Sequence, residues 1–497
     1  MINAVPKLWF ARGDNPLTTI ARFDCDCNAC PSANDGVDLS TLLSKTDTYR
    51  LARALIWQGF DGKHHILANP AQAGVVVVDD CAAALLDYFR SEHTTTEVCF
   101  AFPHIPHLRA FLEQLIRLGL LEATDAPLVR HQWHDSDTLT VWMHVTNECN
   151  LRCLYCYLDK TDERMSAATG KAAVDAVIRS AVTHGFKQVI LKYAGGEASM
   201  RLKMVLDMHR YAQKCTQATG LALEGVLLTN GVLMSERTIQ RLIENKIRVT
   251  ISLDGIGSAH DTQRPLIDGR PSFAYVDRAI RRLLAANCTP MISVTVSQLN
   301  LTELPSLVQY LLTMNLPFNL NFYRENDCSL SITDLRFGEA QIIETLQTAF
   351  RVIEQQLPMH SLLGMLLDRA DLSTPHRHTC GVGHNYMVID HHGGVAKCQM
   401  EITAPVSDVN AADPLQAVRA DQRGIQNLAV DMKEGCRDCQ WRYWCTGGCP
   451  LMTYRATGRY DVQSPNCRIY TTLYPDLLRL EALRLLKYES AWMLDAA

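Results

Sequence analysis

The chain has 497 residues, a formal net charge of -5, 47% hydrophobic and 20% charged residues, the composition of an ordinary globular protein, which excludes disorder and collagen-like repeats. No apolar run reaches the eighteen or so residues that a membrane helix needs, and Met1 to Asn15 lacks a basic-then-apolar signal pattern, so a cytoplasmic location is expected. The mildly acidic balance gives no global reason to expect nucleic acid as a partner.

Residues 1–46 read as an irregular arm. Its Cys25, Cys27 and Cys30 are either free thiols in a reducing cytosol or an added metal set. Residues 47–130 read as a winged-helix-like unit: short strands over 66–70 and 75–78, an Asp79-Asp80 cap before a helix over 82–91, a loop with two prolines after Thr94-Thr95-Thr96, and a helix over 107–118 stopped by Gly119. Between Arg50 and Asp125 it carries six basic against nine acidic residues, so a phosphate footprint is lacking.

Residues 136–335 alternate short apolar runs, at 139–145, 188–193, 225–228, 248–253, 291–296 and 318–322, with helical segments. Six such strands predict an α/β fold with a parallel sheet curled into a partial (β/α)6 barrel of the TIM type. Parallel sheets carry their chemistry at the carboxyl ends of the strands. The first cysteine group, Gly195-Gly196-Glu197, Asn230-Gly231 and Asp254-Gly255 all follow strands, which places them on one rim. Residues 336–375 read as a helical linker with a helix over 340–369, residues 376–470 as a cysteine-rich domain, and residues 471–497 as a closing helix, amphipathic over 476–488.

Eighteen cysteines are the unusual number. A large intracellular chain has no need of disulfide staples, so metal is the better reading. Cys149, Cys153 and Cys156 read C-x3-C-x2-C on the loop after the first barrel strand. Three thiolates are one short of a closed zinc site, whereas a four-iron cluster held by three cysteines leaves one iron for an outside ligand. A zinc loop or three incidental thiols stay open at this point. With Tyr155 before the last cysteine, the arrangement resembles the radical S-adenosylmethionine (radical SAM) enzymes. The resemblance implies that the free iron chelates the cofactor's methionine and that its cleavage yields a 5'-deoxyadenosyl radical. It implies cofactor contacts from Tyr155, from the glycine-rich Gly195, Gly196 and Glu197, and from Ser252 and Arg264, although Arg264 read alone is also a solvated loop arginine and Asp254 a turn residue.

Cys380, Cys398, Cys436, Cys439, Cys445, Cys449 and Cys467, with Gly393 between the first two, resemble the SPASM extension of radical SAM peptide-modifying enzymes. That resemblance implies two auxiliary four-iron clusters, one on Cys436, Cys439, Cys445 and Cys467 and one on Cys380, Cys398 and Cys449, hence three clusters in all. The second auxiliary set has three thiolates, with its last position either open or filled from His384, Asp390, His391 or His392. Relatives that make formylglycine in sulfatases carry an aspartate after the second of these cysteines; this chain has Gln399, and an amide cannot take the proton. The unit over 47–130 resembles the peptide-recognition domain of ribosomal-peptide maturases, which is related to the small chaperone of pyrroloquinoline quinone biosynthesis and captures a leader peptide as an added strand. Together these resemblances imply a peptide-modifying oxidoreductase that forms a thioether or other crosslink in a precursor peptide, fed by a flavodoxin or ferredoxin-like donor. Maturation of a protein subunit, as in quinohemoprotein amine dehydrogenase, is the nearest alternative, and a non-enzymatic zinc or iron-sulfur regulator the more distant one.

Overall fold

The valines of residues 75–78 split between two cores. Val75 and Val77 join the main core, while Val76 and Val78 pack with Leu85, Leu86, Leu112 and Leu115 in a second one, as the two-residue period of a strand requires. The computed structural model describes residues 6–10, 48–72, 74–125, 136–329 and 331–489, so Cys25, Cys27 and Cys30 lie outside the described residues.

The N-terminal unit comprises β1 (Leu8–Phe10), β2 (Thr48–Leu51), β3 (Ile56–Gly59), β4 (His64–Ala68), β5 (Val75–Asp79), α1 (Asp80–Tyr88), β6 (His93–Thr94), α2 (Thr95–Ala101), α3 (Leu108–Arg117) and β7 (Leu121–Ala123). It holds two antiparallel sheets, ordered β1-β5-β4-β3 and β6-β2-β7. Asp79 caps α1 by accepting from the Ala82 N–H at 2.8 Å. Two expectations are corrected here. The arm is not irregular throughout, because Leu8–Phe10 pairs with β5 and buries Trp9 in the main core. The Thr94-Thr95-Thr96 segment starts a helix: Thr94 and Glu97 form a reciprocal capping box, which satisfies two otherwise orphaned donors and nucleates α2.

The barrel strands are β8 (Thr138–His144), β9 (Gln188–Ala194), β10 (Ala222–Thr229), β11 (Ile247–Ser252), β12 (Met291–Val296) and β13 (Phe318–Phe322), all parallel and adjacent in chain order. Between and after them run α4 (Ala167–Thr183), α5 (Leu202–Thr219), α6 (Glu236–Glu244), α7 (Ser258–Gln263), α8 (Phe273–Ala285), α9 (Leu304–Thr313) and α10 (Glu339–Gln355). β8 does not bond to β13, so the barrel is open. Instead β14 (Tyr386–Ile389), from the cysteine-rich region, adds parallel to β8, and β15 (Gly394–Ala396) and β16 (Ser407–Asp408) follow antiparallel, giving one sheet of nine strands.

The helix expected over 340–369 ends at Gln355. Pro358 disfavours helix in the residue before it, and Leu362, Leu363, Leu366 and Leu367 have their helix-like spacing because irregular backbone buries them all. The chain closes with α11 (Pro414–Ala420), α12 (Arg442–Cys445), α13 (Pro450–Thr457) and α14 (Cys467–Lys487). α14 begins at the last cysteine of the expected domain, earlier than residue 471 or 476, and runs through Pro475. It packs on α10 and on β1, β4 and β5, which joins the two ends of the chain. No helix among the described residues is long and apolar enough to cross a membrane.

Candidate active site

The loop that follows β8 is laced to its surroundings by backbone. Arg152 and Leu154 donate to the Pro265 and Gln263 carbonyls at 2.9 and 3.0 Å, Ile267 donates to Asn150 at 3.0 Å, and Asn147 donates to Glu163 at 3.0 Å. This presents Cys149, Cys153 and Cys156, all half-buried free thiols, at the carboxyl end of the sheet. Burial pushes the Cys153 thiol up to about 12. Lys160 donates to Cys156 Sγ at 2.9 Å; burial works against its ammonium, yet the thiols around it, Cys156 first, hold its pKa above the usual value.

Gly195 and Gly196 sit against this loop. Gly196 N–H donates to the Thr146 carbonyl at 2.7 Å and Glu197 N–H to that of Glu148 at 2.8 Å. A Cβ on Gly195 would lie 2.4 Å from the Thr146 carbonyl oxygen, a distance real side chains do not tolerate. The glycines therefore serve close approach of backbone to backbone beside the cysteines. Glu197 is 2% exposed and turns inward: its carboxylate accepts from Thr229 Oγ1 at 2.6 Å, Ser199 N–H at 2.9 Å and Asn230 N–H at 2.7 Å. It organises the rim from within, and Asn230 in turn donates to Asn150 at 2.8 Å beside Cys149.

Arg264 and Asp254 are neither solvated nor idle. Arg264 Nε donates to Asp254 Oδ2 at 2.5 Å, its Nη1 lies 3.9 Å from Cys153 Sγ, and its guanidinium stands 5.1 Å from the centre of the Tyr155 ring. Asp254 also accepts from the Tyr155 hydroxyl and, at 2.8 Å, from Thr295 N–H. The carboxylate thus fixes an aromatic ring and a cation next to the central cysteine. Ser252 ends β11 opposite Ser293.

The seven later cysteines fall into two sets. Cys380, Cys398 and Cys449 line one cavity. The thiols of Cys436, Cys439, Cys445 and Cys467 sense one another's charge. Burial raises Cys398 and Cys436 to about 12 each; for Cys449 burial also raises the pKa, but Arg324 and Arg369 outweigh it and the value falls below the ordinary one. No three of these thiols, nor the first three, lie within 4.8 Å of one another among the described residues. All-thiol sets of three and four are the donor chemistry of iron-sulfur clusters, which are held by cysteine thiolates.

The cavity has about 1030 Å³ of free space including its mouth, and it runs from Tyr155 and Trp142 past Ser293 and Asn321 to Arg324, Arg369 and the Cys380 set. Asn230 was placed on this rim from sequence, whereas Lys160, Arg324 and Arg369 were not singled out. Arg324 lies two residues past β13, so its position at a strand's carboxyl end was a usable signal; nothing local marks Arg369. His384, ring to ring 3.9 Å from His378, lies near Asn427, which donates to the Cys380 carbonyl at 2.6 Å. Asp390, His391 and His392 form the β14–β15 turn, whereas Cys380 and Cys398 flank the other end of that hairpin. These three are therefore corrected as candidates for the fourth ligand of that set.

The radical SAM superfamily description matches residues 143–310. These residues form a radical SAM domain. Among curated relatives, the serine-type anaerobic sulfatase-maturating enzyme of Bacteroides thetaiotaomicron is 31% identical over 145 residues, 27% of this chain and 34% of that one. The sporulation killing factor maturation protein SkfB of Bacillus subtilis is 23% identical over 204 residues, 40% and 47% of the two chains. The chain spans about half the length of the curated relatives it matches first, 57% and 43% of two of them. The structure of native anSMEcpe with bound AdoMet and Cp18Cys peptide shares the fold, with a TM-score of 0.55 at 17% identity over 71% of this chain and 99% of that one. The radical SAM domain accordingly includes the cysteine loop, the Gly195–Glu197 segment and Arg264.

Proposed function

We propose that this protein is a radical SAM enzyme that modifies a ribosomally made peptide, forming a thioether or another radical crosslink after hydrogen abstraction. The observation that carries the reading is the cavity that joins Tyr155, beside the first cysteine loop, to the Cys380 set. When bound, S-adenosylmethionine and a four-iron cluster on Cys149, Cys153 and Cys156 supply a 5'-deoxyadenosyl radical. Arg264, aligned by Asp254, and Lys160 offset thiolate charge and offer donors to the cofactor's carboxylate. Tyr155 and Trp142 give the cavity apolar walls that keep water from a radical. Gln399, whose Oε1 accepts from the Tyr386 hydroxyl at 2.9 Å, is no base, which disfavours formylglycine formation.

Cys380, Cys398 and Cys449 would hold one auxiliary cluster, and Cys436, Cys439, Cys445 and Cys467 the other. They would take up the electron left after crosslinking, and a flavodoxin or ferredoxin-like donor would prime the first cluster. In the N-terminal unit β1 and β3 are the edge strands of the first sheet among the described residues, and α14 packs against β1. A leader segment would add as a strand at β3, where main-chain bonds give affinity and grooves give selectivity.

Anaerobically reconstituted enzyme should carry about twelve irons, from three four-iron clusters, and release 5'-deoxyadenosine when reduced with S-adenosylmethionine. Replacing Cys149, Cys153 and Cys156 together by alanine should abolish that release and leave roughly eight irons. A wild-type content near four irons would remove both auxiliary clusters, and zinc without sulfide would remove the enzyme reading.

A further inference from the structure

Glu163, His391 and His392 stand outside the machinery described above, yet their ligating atoms all lie within 4.8 Å of one another. His391 Nε2 is 3.6 Å from Glu163 Oε2, and His392 Nε2 is 3.5 Å from Glu163 Oε1. These separations are too long for hydrogen bonds. They match two donors bound at ~2.05 Å to one tetrahedral ion, which stand about 3.4 Å apart.

A second observation points to a missing ligand. His391 is 9% exposed, and among the described residues neither of its ring nitrogens has a hydrogen-bond partner. His144, fully buried with its ring centre 5.7 Å from that of His391, has an unpartnered Nδ1 as well. Buried polar atoms are nearly always satisfied, and those that are not call for an unseen water or ion.

Both sides of the cluster are anchored. The Glu163 carbonyl accepts from Asn147 N–H at 3.0 Å and from Thr146 Oγ1 at 2.9 Å, and its carboxylate accepts from Thr161 Oγ1 at 2.7 Å and Asn147 Nδ2 at 3.2 Å. Asp390 Oδ1 holds the opposing turn by accepting from the N–H groups of His392 and Gly394, each at 2.8 Å. Hydrogen bonds to a ligand's other atoms fix its orientation, as in established metal sites.

We propose that Glu163, His391 and His392 bind one divalent first-row transition-metal ion, zinc being the reference case, at the seam between the radical SAM domain and the cysteine-rich region. Two imidazoles and a carboxylate are a donor set for zinc or its neighbours, and three protein ligands leave a position for water. The ion fastens the segment from Thr146 to Arg164, which carries the first three cysteines, to the β14–β15 turn. The inference is independent of the peptide-modifying activity.

The test uses the full chain with its iron and sulfide loaded, which occupies the cluster cysteines, and with Cys25, Cys27 and Cys30 replaced by serine so that the arm cannot compete, stripped of other metals and given one equivalent of zinc. Desalted protein should retain one zinc per chain. Its zinc-edge X-ray absorption should show nitrogen and oxygen neighbours near ~2.0 Å with an imidazole signature and no sulfur near ~2.3 Å. Glu163→Ala and His392→Ala alter side chains that are 47% and 69% exposed, so folding is not at stake. Each should lower zinc affinity by about 100-fold or more with iron content unchanged. Failure of the wild type to retain zinc, a sulfur shell, or wild-type affinity in both variants would each overturn the proposal.

Discussion

A Cβ on Gly196 would lie 2.3 Å from the Glu148 carbonyl oxygen and 2.5 Å from that of Asn147. Those carbonyls belong to the backbone leading into Cys149, so nothing flexible can give way, and the loop itself must shift. Gly196→Ala should therefore destabilise the protein by about 1–3 kcal/mol in urea unfolding and lower the reconstituted iron from about twelve to about eight, leaving the cysteine-rich region loaded. A variant with full iron would show that the loop tolerates displacement. The two glycines were legible in the sequence as a glycine-rich segment after a strand, but their direct neighbour was not: the close approach is made by the chain itself. Asp254 shows the converse. In the sequence it is one acid beside a glycine, compatible with any turn, and only its contacts with Tyr155, Arg264 and Thr295 reveal it as the residue that orients the site.

At the scale of elements, α7 carries a buried device beside the site. His260 is fully buried, and its Nδ1 accepts from the Asp254 N–H at 3.3 Å. Burial lowers its pKa from 6.5 to about 4, and burial does the same for His144 on β8. The folded state thus keeps these imidazoles neutral, while the unfolded chain binds protons below pH 6.5. Their contribution to stability is complete above pH 6.5 and is lost as pH falls toward about 4. His260→Asn keeps an acceptor on the short side and cannot titrate, so its urea midpoint should decline less steeply than the wild type's between these limits. Parallel declines would assign the acid sensitivity elsewhere. Element existence was widely legible because period and β-branched runs are local: β12 and β13 coincide with the expected runs at 291–296 and 318–322. Elements were misread where tertiary burial imitated a helical pattern, as at Leu362–Leu367, or where a reciprocal cap at Thr94 and Glu97 resembled a polar loop.

At the scale of the whole molecule, the N-terminal unit is built into the main core and is not a detachable module. Trp9, Ile66, Ala68, Val75 and Val77 belong to the same buried cluster as Leu473, Leu477 and Leu480 of α14. Deleting residues 1–135 should uncover apolar surface of α14, lower the thermal unfolding midpoint and increase binding of an apolar dye, irrespective of any peptide. A truncated chain with an unchanged midpoint would show that the contact carries little stability. Loss of peptide processing after such a deletion would accordingly not by itself assign recognition to this unit, and changes confined to β3 separate recognition from packing.

The six barrel strands and the C-x3-C-x2-C loop with its aromatic residue before Cys156 were legible in the sequence alone, since each rests on spacing within a few residues or along one segment, whereas the division of the seven later cysteines into two sets came only from a family resemblance. Only the tertiary structure decided that β14 extends the barrel sheet at β8, that β1 and α14 close over the same core, that Asp254 aligns Arg264, and that Glu163 meets His391 and His392. Those outcomes join segments far apart in the chain. Which distant segments meet is set by the sheet order and the burial of shared apolar faces, and local spacing carries no record of either.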